Sequence, residues 1–237
     1  MIRETVSAGA SYQVLGAVRG FVPDVGPLLT SFEEFRPNAI GLGISSEELR
    51  AFTDHFVGAE QEPVVPLTST ELAEVRGLSQ FGEVRVPNPS LLRAIEWAQD
   101  RGLPVEALDP GDDRYAIMFA DTISYTELVR RTVRERRLTR APPRAASADE
   151  YALTWVRIAA GGSRSVRFAT ERDGVLVQGA RLLGRRHPRV SLVVDRERFS
   201  RVVGMLREGA RTGEGSSRPS AVEDVNSPAD GERLAER

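Results

Sequence analysis

Short aliphatic runs alternate with amphipathic stretches along this chain, and that alternation sets its reading. Tyr12 to Val18 is apolar and short, as a buried strand is. Asp24 and Pro27 then open a helix whose apolar face is Leu28, Leu29, Phe32 and Phe35, and Pro37 ends it. Ala39 to Ile44 is a second buried strand. Ser45 and Glu48 have the spacing of a capping box for a helix carrying Leu49, Phe52 and Phe56. Residues 61–67 are proline-rich and extended. Glu71 to Gln80 is helical on Leu72, Val75 and Leu78. Ser90 caps a further helix on Leu91, Leu92, Ile95 and Ala98, which Gly102 stops. Val105 to Leu108 is a third strand, followed by the turn Asp109-Pro110-Gly111.

From Tyr115 to Leu138 the pattern is mostly helical, and Ala141-Pro142-Pro143 breaks it. Ser147 and Glu150 cap the next helix, and Gly161-Gly162 end it. A helix over Ser165–Leu183, a strand over Val190–Val194 and a helix over Arg196–Glu208 complete the pattern. Strands separated by helices predict an α/β fold, with a mostly parallel sheet, helical crossovers and a helical insertion. One domain over residues 1–208 is expected, with the insertion at about 112–162. Residues 209–237 are Gly, Ser, Pro and charge, and are expected to form a disordered polar tail. No internal repeat is present.

Composition narrows the chemistry. The 237 residues, 41% of them hydrophobic, suffice for a large core. Cysteine is absent, which excludes disulfides, zinc–thiolate sites and thiol nucleophiles. All 32 basic residues are arginine, so Schiff-base chemistry and a P-loop lysine are excluded too. The formal charge of −2 favours neither nucleic acid nor an acidic membrane as a global partner. No signal core or apolar span of about 20 residues is present, so a cytoplasmic protein without a membrane span is expected.

Three ordered segments carry a family resemblance: Leu15-Gly16-Ala17-Val18-Arg19, Arg36-Pro37-Asn38-Ala39-Ile40-Gly41-Leu42-Gly43-Ile44, and Glu171-Arg172-Asp173 followed by Ser191 to Arg198. Val105-Glu106-Ala107-Leu108-Asp109 is a fainter fourth. In order and spacing, over about residues 12–206, they resemble the TraB/PrgY family. That family has a strand ending in Leu-Gly-Thr-Ala-His, an Arg-Pro-Asp before a strand ending in Glu-Leu-Asp, a helical Glu-Arg-Asp, and a last strand ending in Val-Gly-Ala-Gly-His. The resemblance implies an α/β fold. It also implies kinship with metal-dependent hydrolases and peptidases and with relatives that bind peptides.

The departures fall on the metal ligands. Position by position, the first family histidine is Arg19, the strand-end glutamate is Gly43 and the second histidine is Arg198, while Glu171 and Arg172 match. An arginine offers no lone pair to a cation. The expectation is a non-catalytic TraB-like protein that holds no metal or cofactor. It would act by binding an anionic small molecule or a peptide, with Arg19, Arg172, Arg198 and Glu171 at one crevice. In the opposite reading the site has decayed, and each arginine pairs with a local acid such as Glu171 or Asp195. Two alternatives stand beside these. One is a hydrolase using Asp109, Glu171 and Asp195. The other is an interaction scaffold, as a homo-oligomer or paired with another TraB-like protein.

Other candidates carry less. His55 and His187 have no histidine partner at helical spacing and suit surface or capping roles. No nucleophile elbow or dinucleotide-binding glycine pattern is present. The run Arg130, Arg131, Arg134, Arg136, Arg137, Arg140 could grip nucleic acid, but Glu127 and Glu135 interrupt it and aromatics are few. It reads as a solvated helix end favoured by the helix dipole. Trp97 and Trp155 fall on amphipathic helices as packing residues.

Overall fold

The computed structural model describes residues 1–55 and 66–213. Phe56 and most of the extended 61–67 stretch lie outside them, as does the side chain of His55. Strand β1 (Ile2–Ala8) turns at Gly9 into β2 (Ala10–Ala17), and a 3-10 turn at Val22–Asp24 leads to helix α1 (Val25–Phe35). Then follow β3 (Ala39–Leu42), α2 (Ser46–His55), α3 (Ser69–Leu78), α4 (Pro89–Gln99) and β4 (Val105–Ala107). The chain continues through α5 (Asp112–Thr122), α6 (Tyr125–Arg140), α7 (Ala148–Ala160) and α8 (Ser163–Arg186) to β5 (Arg189–Asp195) and α9 (Phe199–Gly213).

The sheet order is β1-β2-β5-β3-β4. Only β1 is antiparallel to its neighbour; β2, β5, β3 and β4 run parallel. The α/β fold with helical crossovers is therefore present, and residues 112–162 hold α5, α6 and α7.

Period-2 alternation divides the core between the two sheet faces. Val14, Leu192 and Val194 point to α8 and α9, where they meet Leu176, Leu183, Val202 and Leu206. Leu15, Ile40, Leu42 and Val193 point to α1 and α4, against Phe32, Ile95 and Trp97. A third cluster lies beyond the end of β2, where Val18 and Phe21 pack with Leu78, Leu138, Tyr151 and Trp155. Both tryptophans thus pack as expected; Trp97 also donates to Glu33 at 2.8 Å.

Several local expectations shift. β1 was not read as a strand, yet residues 2, 4, 6 and 8 face inward in alternation. Glu4 sits among those inward positions and pairs with Arg207 of α9. The Ser45–Glu48 box forms as expected. Ser90 is not the cap of α4; Asn88 is, its side chain accepting from the Ser90 amide at 3.1 Å with Pro89 in the first turn. Tyr115–Leu138 divides at Ile123-Ser124, where Ser124 caps α6 by accepting from the Glu127 amide. Helix α9 continues to Gly213, so residues 209–213 of the expected tail are helical, and the rest of it lies outside the described residues.

Candidate functional site

The chain leaving β3 enters α2 on one face of the sheet, and the chain leaving β5 enters α9 on the other. Neighbouring strands whose connections diverge in this way leave a crevice at their carboxyl ends, where α/β sheets bind ligands. Gly43 follows β3, Asp109 follows β4, Arg198 follows β5 and Arg19 follows β2, so all four come to this edge.

Arg198 fills the crevice. Its side chain is 3% exposed. Nε donates to Asp173 Oδ1 at 2.6 Å, and Nη1 donates to Asp109 Oδ2 at 2.7 Å and to the Gly43 carbonyl at 3.1 Å. Nη2 donates to Asp109 Oδ1 at 2.6 Å, which completes a bidentate fork. Both carboxylates are shared with a second guanidinium. Arg172 donates through Nε, at 3.0 Å, and Nη2 to Asp109 Oδ2, and its guanidinium stands over the Tyr115 ring at 5.5 Å. Arg201 donates to Asp173 Oδ2 at 2.6 Å. Three guanidiniums and two nearly inaccessible carboxylates therefore form one lattice.

Gly43 makes the lattice possible. A Cβ there would stand 3.3 Å from Arg198 Nη1 and equally close to Leu176 and Val194. A larger residue would crowd the guanidinium from below.

Arg19 differs. Its side chain is 62% exposed, and Nη2 donates to Asp195 Oδ2 at 3.0 Å. Burial pushes the Asp195 carboxyl up, but the guanidiniums of Arg19, then Arg198 and Arg172, more than offset this and hold it below the usual carboxylate range. Two further carboxyls sit within electrostatic reach of Arg19. Glu197 is pushed up to about 7 by burial and by Asp195. Glu74, on α3, is pushed up to about 7 by burial, partly offset by Arg19. Beyond Glu74, the buried Tyr151 hydroxyl has no hydrogen-bond partner among the described residues and is pushed up to about 12 by burial and by Glu74.

Of the expected site residues, Arg172 and Arg198 share Asp109, and Arg19 joins them through the field at Asp195. Glu171 does not share these partners: it pairs with Arg167 at 2.7 Å and accepts from Thr122 at 3.2 Å. The carboxylates of the hydrolase alternative are thus engaged separately: Asp109 by Arg172 and Arg198, Asp195 by Arg19, Glu171 by Arg167. Among the described residues no three carboxylate or imidazole groups gather so as to hold a metal ion. The Arg196–Asp149 pair, at 2.9 Å, ties the end of β5 to α7.

Sequence reasoning missed Glu74, Glu197, Asp173 and Arg201 as members of the site. Asp173 and Glu197 stood inside the quoted segments, one residue from Arg172 and Arg198. Glu74 carried no local signal, because only tertiary packing brings α3 to the end of β2. Comparison with family models finds no match for this chain, and comparison with curated proteins finds none. No described helix is long and apolar enough to cross a membrane.

Proposed function

We propose that this chain is a non-catalytic binding protein that takes an anion, a phosphate or the carboxylate of a small molecule or peptide, on Arg19 at the mouth of the strand-edge crevice. The observation that carries this reading is the contrast among the three arginines. Arg198 spends its fork on Asp109 and Arg172 on the same carboxylate, whereas Arg19 is exposed and uses one Nη2 on Asp195. A guanidinium with unused donors suits a planar or tetrahedral oxyanion. Glu74 and Glu197 strengthen the reading, because a protonated carboxyl donates a hydrogen bond to an anion and an ionised one repels it. Uptake should therefore be stronger below about pH 7 than above it. The resemblance to TraB/PrgY proteins agrees with this, since the positions of that family's ligands are Arg19, Gly43 and Arg198.

Thermal melting in phosphate tests the proposal. At a phosphate concentration about one hundred times the dissociation constant the stabilisation is about 2.7 kcal/mol. That corresponds to roughly 5–10 °C in Tm for a chain of this size. Arg19→Ala removes the gain. No shift in the wild type, or an equal shift in Arg19→Ala, refutes anion binding. Stoichiometric zinc or manganese in dialysed protein refutes the non-catalytic half.

A further inference from the structure

The arginine run of α6 does not take part in the crevice. Six arginines and two glutamates lie on this helix, and packing sorts them. Glu127 is buried and paired with Arg134 at 2.6 Å, while Glu135 is paired with Arg131 at 2.8 Å. Both acids and two cations are thereby spent on the side facing α3 and α7. Arg130, Arg136, Arg137 and Arg140 are exposed and form no ion pair among the described residues.

The same outer face is partly apolar. Tyr125 is 80% exposed, Val129 46% and Val133 43%. These three follow one another at i, i+4 and i+8, and Arg136 and Arg140 continue the same stripe. Arg130 and Arg137 flank it, seven residues apart. The stripe runs the length of a 16-residue helix, about 24 Å. It carries no acid.

We infer that the outer face of α6 is a docking surface for an anionic lipid bilayer, with the four arginines on lipid phosphates and carboxylates and with Tyr125, Val129 and Val133 seated at the headgroup boundary. A bilayer surface is the partner that uses both features of the stripe: charge for the arginines, and an apolar layer for the aliphatics between them. A second copy of the chain would set arginines against arginines. Nucleic acid would satisfy the arginines but dehydrate the valines without return, and a single tyrosine gives no stacking platform.

Flotation of the full chain with vesicles tests this. Phosphatidylcholine vesicles containing about 30 mol % phosphatidylserine should bind the protein, pure phosphatidylcholine should not, and binding should fall between about 50 and 200 mM salt. Each of Arg130→Gln, Arg136→Gln, Arg137→Gln and Arg140→Gln lowers the partition coefficient about five-fold, and the quadruple variant abolishes binding. The double variant Val129→Ser, Val133→Ser weakens binding at every salt concentration. All of these positions are exposed, so the variants should melt with the wild type. Absence of binding to anionic vesicles overturns the inference. So does binding that survives the quadruple variant, binding indifferent to the valine substitutions, or tighter retention by duplex DNA than by the vesicles at equal salt. None of these outcomes depends on Arg19.

Discussion

Replacing Arg198 by methionine probes whether the strand-edge crevice is held shut by charge. Methionine keeps much of the side-chain volume and removes every donor. The change deletes four hydrogen bonds, three of them to carboxylates. Removing one partner of a buried ion pair costs about 3–5 kcal/mol, mostly because the remaining charge is left uncompensated. Here each carboxylate keeps one guanidinium, Arg172 on Asp109 and Arg201 on Asp173. The loss should therefore fall at the lower end, about 3 kcal/mol. At roughly 3 °C per kcal/mol for a chain of this size, Tm drops by about 9 °C. Thermal and urea melts measure it, with Arg19→Ala as the exposed control expected to lose less than about 1 kcal/mol. A double-mutant cycle adding Asp109→Asn should return a coupling energy above about 1 kcal/mol, because the orphaned charge is then removed as well. If Arg198→Met melts no lower than Arg19→Ala, the lattice does not hold the crevice and the reasoning fails.

Three further outcomes follow from the same geometry. Gly43→Ala should cost about 1–3 kcal/mol, since its Cβ meets three neighbours at 3.3 Å and Arg198 is too constrained to give way; an equal cost in an Arg198→Met background would show that the guanidinium is not what the methyl meets. Glu74 and Glu197 hold their protons to about pH 7 when folded, so their stabilising contribution is complete below the ordinary carboxylate range and lost as pH rises through about 7. Stability should therefore decline over about pH 5–8 and decline less in Glu74→Gln or Glu197→Gln, and a flat wild-type profile would contradict this. Glu171→Ala should move Tm by less than about 2 °C and leave the phosphate response intact, because its partners Arg167 and Thr122 lie outside the lattice.

The sheet was legible where its strands are rich in aliphatics. The runs beginning at Tyr12, Ala39 and Val190 are apolar apart from Gln13 and Ser191, which pair with each other across β2 and β5, as central parallel strands allow; the Val105 run carries Glu106 and forms the half-buried edge strand β4. β1 escaped because it is an edge strand with one face wet, and its inward alternation includes Glu4, whose partner Arg207 lies about two hundred residues away. The break between α5 and α6 was written as Ser124-x-x-Glu127, the same signal that identified α2, but the arginine-rich helix around it masked the stop. The convergence of Arg19 and Arg198 could be argued from strand direction, and that of Arg172 from the right-handed crossover of the helix before the last strand. Their unequal exposure could not, because it depends on Asp109 and Asp173 arriving from other elements. Glu74 was beyond reach for the same reason.

Gly43, Asp109 and Arg198 form one interlocked choice. A guanidinium in a dry crevice needs carboxylates at its fork, and Asp109 and Asp173 supply them. It also needs space and a carbonyl at its edge, and Gly43 supplies both. A histidine at 198 would leave Asp109 and Asp173 with only their outer partners and open a void beside the Gly43 carbonyl. A glutamate at 43 would press its Cβ against Nη1 and bring a third carboxylate to a guanidinium whose fork is already taken. Each single change is therefore destabilising, because the strand-edge crevice is balanced around a cation built in as a side chain and either change upsets that balance of buried charge.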